Sequence, residues 1–140
     1  MDLFGLPDPL DGVSTWLAES MADTQSTIHG DLNLENVLIG PGGLVWLIDF
    51  AHLESEIVAH VLALQADHPG ACLRRLQTGG YPLLDVVRDM ATRCLFNPAR
   101  PREYRLAQVM ACLGALKYEN LNSRQKHCLY LTAACLAQTL

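Results

Sequence analysis

The sequence contains no apolar run long enough to cross a membrane. Its start, Met1-Asp2-Leu3-Phe4, lacks the basic-then-apolar layout of a secretory signal. Both absences point to a cytoplasmic protein with no membrane partner. Basic charge is also scarce. Ten Lys and Arg face fifteen Asp and Glu, for a formal net charge of -5 and a pI near 5.4. That balance argues against general binding to nucleic acid or to anionic membranes. Lysine is nearly missing: Lys117 and Lys126 are the only two, and both come late. The five cysteines, Cys72, Cys94, Cys112, Cys128 and Cys135, are odd in number and contain no Cys-x-x-Cys pair. This speaks against a disulfide framework and against a zinc knuckle. Most of them read as small buried hydrophobes in helices. Internal repeats and low-complexity tracts are absent as well.

Half of the 140 residues are hydrophobic and 18% are charged, which suits one compact helical domain with a real core. Residues 1–12 are rich in Pro and Gly and read as loop. Ser14 reads as the N-cap of a short helix to about residue 22. Apolar spacing then predicts helices over 53–65, 71–77, 83–96, 101–117 and 123–139. The first of these carries Ile57, Val58, Val61, Leu62 and Leu64. The third places Leu84, Val87, Ala91 and Leu95 near one face, and the last places Leu129, Ala133 and Leu136 on one stripe. Thr78-Gly79-Gly80 and Asn97-Pro98 are breaks, and Pro101 is suited to a helix start.

Between residues 28 and 50 the pattern changes. Val37-Leu38-Ile39 and Leu44-Val45-Trp46-Leu47-Ile48 read as two short strands joined by a turn at Gly40-Pro41-Gly42-Gly43. Around them lie polar residues at set spacings. His29-Gly30-Asp31 opens the stretch, Asn36 follows Asp31 by five residues, and Asp49-Phe50 comes thirteen residues after Asn36. This is a phosphotransferase pattern. Phosphoryl transfer needs a base beside the attacking hydroxyl and hard oxygen ligands for magnesium, converging from adjacent loops. A hairpin with Asn36 at its entry and Asp49 at its exit lets both face one metal. The simpler alternative is that Asp31 and Asn36 cap turns.

His29-Gly30-Asp31, in place of a His-Arg-Asp, resembles the aminoglycoside phosphotransferase and choline kinase branch of the protein-kinase-like fold. The longer string from His29 to Leu38, with Trp46-Leu47-Ile48-Asp49-Phe50-Ala51, is most similar to bacterial kinase-like "ternary complex associated" domains of signalling or conflict proteins. The specific motifs span residues 28–51, and the rest is similar only as a helical body. The resemblance implies the C-terminal lobe of that fold, mainly α with one small β-hairpin, over residues 13–140. It implies Asp31 as catalytic base, His29 as a brace of the catalytic loop, and Asn36 and Asp49 as ligands of Mg2+ and hence of ATP.

Two departures qualify it. The Gly-rich loop and strand lysine of the other lobe have no counterpart, since no lysine precedes His29. The N-terminal lobe is therefore expected to be absent, magnesium-ATP binding to be weak, and the chain to be inactive alone. An upstream lobe, another protein or a second copy would be its partner. Also, Phe50-Ala51-His52-Leu53-Glu54 runs straight into helix, where related sequences place a loop. The alternative reading is a non-catalytic helical interaction module.

Other residues carry less. His52, His60 and His68 are eight apart, whereas ligand pairs on a helix face need spacings of three or four. His127-Cys128 is isolated. Glu54 and Glu56 read as solvated or as partners of a helix N-terminus. Arg74-Arg75 reads as a solvated face, and Arg100-Pro101-Arg102 as a loop, with a partner patch as the alternative.

Overall fold

A computed structural model describes residues 2–20, 37–39, 45–47, 50–79, 81–94 and 101–140. Among them the chain is mainly helical, with one antiparallel strand pair.

Residues 2–12 form turns, and helix α1 covers Val13–Ser20. Ser14 is not its N-cap. The first helical bond runs from the Trp16 N–H to the Gly12 carbonyl, so the helix enters at Gly12. A Cβ at Gly12 would overlap the Trp16 ring, so glycine there lets the ring lie against the helix entry. The strands are β1, Val37–Ile39, and β2, Val45–Leu47, with Val37 opposite Leu47.

Helix α2, Phe50–Ile57, passes into a π-helical turn, Val58–Leu62, and then into α3, Ala63–Gln65. The wide turn bonds the Ala63 N–H to the Val58 carbonyl, five residues back. The Ala59 carbonyl takes a bond of 3.1 Å from the Gln125 amide. The helix therefore starts earlier than residue 53, at Phe50. Leu64 lies outside the core and is exposed, because the π turn shifts the phase of the residues beyond it.

Helix α4, Pro69–Thr78, begins on a proline and ends at Gly79, whose φ of +70° suits a residue without Cβ. Helix α5, Pro82–Cys94, and helix α6, Pro101–Ala115, also begin on prolines. Pro101 and Arg102 thus form a first helical turn instead of a loop, and Arg102 donates to the Leu140 carbonyl.

Helix α7, Ser123–Ala137, opens with a capping box. Asn122 accepts from the Gln125 N–H, and the Gln125 side chain accepts from the Asn122 N–H. It packs against α6, α4 and the π turn, and buries Cys128, Leu129, Leu131, Ala133 and Ala134. A helix apolar on several faces belongs at the centre of a core. Each fully buried leucine there stabilises the fold by about 1.5–3 kcal/mol relative to exposure.

The N-terminal segment is strapped to the outside of α7. Tyr130 donates to the Asp8 carboxylate at 2.6 Å, the His127 ring meets the Asp2 carbonyl at 2.6 Å, and Phe4 stacks on His127. Helix α5 is apolar on two adjoining faces. Leu84, Val87 and Ala91 point into the core, while Leu83, Val86 and Met90 are 47%, 56% and 46% exposed.

Candidate functional site

The motif residues His29, Asp31, Asn36 and Asp49 lie outside the described residues, as does Leu95 of the expected α5 face. Their connections are described. The ladder end that pairs Val37 with Leu47 is the end from which the chain leads back to Asn36 and on to Asp49. Phe50 is the first residue of α2 and packs half-buried against the core. No stretch of described chain separates Phe50 from the helix, in agreement with the direct run read from the sequence.

The described residues hold a second polar constellation that the sequence did not reveal. Glu54, expected to be solvated or to partner a helix N-terminus, is only 4% exposed. Helix α2 aims it at α5 and α6, whose Arg88 and Tyr104 close on its two oxygens. Arg88 Nε donates to Oε2 at 2.8 Å, and the Tyr104 hydroxyl donates to Oε1 at 2.6 Å. A carboxylate removed from water needs such partners. The signal was present in the spacing. Ala51, Glu54, Ser55, Val58 and Leu62 follow the period of a core face, so an acid sat on the apolar stripe.

Arg88 and Tyr104 also reach the wall of a cavity of about 370 Å³ bounded by α4, α5, α6 and α7. Arg105, Gln108, Thr132 and Cys135 contribute polar or polarisable atoms, and Leu76 and Leu136 an apolar side. Nearby, burial pushes the Cys112 thiol up to about 12, and the Glu54 charge adds to the effect while Arg88 opposes it. Burial also raises Cys135, against the pull of Arg88. Both shifts favour the thiol over the thiolate, as suits cysteines used as small hydrophobes.

Cys72 and Cys128 are buried where α4 meets α7, with their thiols in hydrogen-bond contact. That contact, with burial, holds the proton on Cys72, while the same contact lowers Cys128. His52 and His60 flank Glu56 at 3.9 and 3.2 Å along one helical face. Arg74 and Arg75 are exposed, as the sequence indicated. Among the described residues no three His, Cys, Asp or Glu side chains cluster as a metal site. No helix among them is long and apolar enough to cross a membrane.

No family model matches this chain, and neither does any curated protein or solved structure.

Proposed function

We propose that the chain is a kinase-like phosphotransferase lobe, carrying the catalytic-loop and magnesium-binding residues of ATP-dependent hydroxyl phosphorylation. The spacing of His29, Asp31, Asn36, Asp49 and Phe50 carries the reading. Two structural relationships support it. Val37, next in sequence after Asn36, pairs with Leu47, two residues before Asp49, and the rest of the described chain is mainly helical. In this reading Asp31 takes the proton of the acceptor hydroxyl, His29 braces the loop, and Asn36 and Asp49 hold Mg2+ against the ATP phosphates. A magnesium ion there neutralises charge on the transferred phosphoryl group.

The 140 residues offer metal ligands without a strand lysine, so nucleotide is held by few contacts. Titration calorimetry of the 140-residue chain with magnesium-ATP is expected to give a dissociation constant of roughly millimolar, equivalent to about 4 kcal/mol. Micromolar binding would sink the half-site reading. Phosphotransfer is expected only when a nucleotide-clamping lobe is supplied in trans.

A second reading, a non-catalytic helical interaction module, is favoured by the exposed row Leu83, Val86 and Met90 on α5. It predicts that Asp31→Asn and Asp49→Asn leave every binding property of the chain unchanged.

A further inference from the structure

We infer that the cavity between α4, α5, α6 and α7 is a binding site for a small organic carboxylate. This goes beyond the phosphotransfer reading and uses none of its residues. Three observations carry it. First, the Gln108 side chain lines the cavity and is 4% exposed, yet its amide makes no hydrogen bond among the described residues. Buried amides are normally paired, and an unpaired one destabilises the fold. One that opens on a cavity offers both a donor and an acceptor to whatever enters.

Second, the wall is cationic. Arg88 and Arg105 line it, and no acidic side chain does so among the described residues. The buried Glu54 engages Arg88 through Nε alone, which leaves one positive charge in excess and the far edge of the Arg88 guanidinium for a ligand. Arg105 makes only a long contact of 3.5 Å with the Thr139 carbonyl. One excess positive charge matches a monoanion, and a planar guanidinium matches a carboxylate in two-point geometry. Third, Leu76, Pro101 and Leu136 give the cavity an apolar side, so the ligand has an apolar body. A volume of about 370 Å³ lies at the small end of small-molecule sites, about 300–1,000 Å³.

The test needs neither nucleotide nor metal, so its outcome is separate from that of the kinase-like reading. Hexanoate, benzoate, hexanol and inorganic phosphate are titrated into the 15N-labelled 140-residue chain. The amide resonances of Thr92, Gln108, Thr132 and Thr139 are followed. Hexanoate or benzoate is expected to shift them saturably, with hexanol and phosphate each weaker by roughly tenfold. Arg105→Gln should weaken the carboxylate by a similar factor. Gln108→Leu should raise the thermal midpoint of the empty chain while weakening the carboxylate. Equal response to hexanol would reduce the cavity to an apolar void, and equal response to phosphate would leave an adventitious ion only. Either result overturns the proposal, as does the lack of a saturable shift with both carboxylates. The comparison of ligands on the unaltered chain decides the matter even if a variant fails to fold.

Discussion

Tyr104 reaches back across fifty residues of sequence to donate a 2.6 Å hydrogen bond to Glu54. With Arg88 on the other oxygen, this ties α2, α5 and α6 through one carboxylate. The cost of losing each partner should differ. Tyr104→Phe removes one bond to a charged group and is expected to cost about 1.5–3 kcal/mol. Arg88 is 35% exposed, so water partly replaces it, and Arg88→Met should cost less than the roughly 3–5 kcal/mol of a fully buried pair. Urea unfolding at neutral pH measures both. Wild-type stability in both variants would show that the carboxylate is solvated after all.

The strap of residues 2–12 on α7 should respond to pH at both extremes. Desolvation and the bond to Asp8 push the Tyr130 phenol up to about 12. The bonds from Tyr130 and from the Leu10 N–H hold the Asp8 carboxyl below its ordinary value of 3.8. The raised phenol supports the tie below its ordinary value of 10.0, and that support is lost as pH rises through about 12. The lowered carboxyl supports it above pH 3.8, and that support is lost as pH falls further. Ultraviolet titration of the chain beside Tyr130→Phe should assign to Tyr130 an ionisation near 12. Asp8→Asn should move it part of the way back toward 10.0, because desolvation remains. A Tyr130 that ionises at its ordinary value of 10.0 would mean the strap is undocked.

In the phosphotransfer reading Asp31 and Asp49 differ in role. With a nucleotide-clamping lobe added in trans, Asp31→Asn should abolish turnover and leave nucleotide affinity nearly unchanged. Asp49→Asn should weaken magnesium-dependent nucleotide binding as well. Asparagine caps helices and turns about as well as aspartate, so neither variant should lose stability if the only local need is a cap. Equal effects of the two substitutions on affinity would refute the assignment.

Neighbouring leucines of α5 face opposite environments. Leu84→Ala opens a hole in the core and should cost about 2–5 kcal/mol. Leu83→Ala, at an exposed position, should change stability by only about 0.5 kcal/mol. If the exposed row drives association, Leu83→Lys should lower the sedimentation coefficient at micromolar concentration without changing the unfolding midpoint. A chain that sediments as a monomer before substitution would remove the support for the interaction-module reading.

The sequence by itself determined the helical class and most helix limits, because those depend on neighbours a few residues apart. Pro101 starts α6 and Gly79 ends α4. The inward faces of α5 and α7 followed from the helical period, with Leu84, Val87, Ala91, Leu129 and Ala133 all buried. The candidate phosphotransfer site was legible only as a motif, since its polar residues lie outside the described chain. Tertiary structure alone decided what lies between the helices. The π turn exposes Leu64 and leaves the Ala59 carbonyl to Gln125, 66 residues away. The sequence suits Glu54 to solvent or to a helix N-terminus, and its burial is set by Arg88 and Tyr104, 34 and 50 residues distant. The opening beside Gln108 exists only where α4, α5, α6 and α7 come together. Local propensity acts over one or two turns of chain, whereas the pairing of a buried charge, or the gap left beside a buried amide, is set by which helices pack across the core.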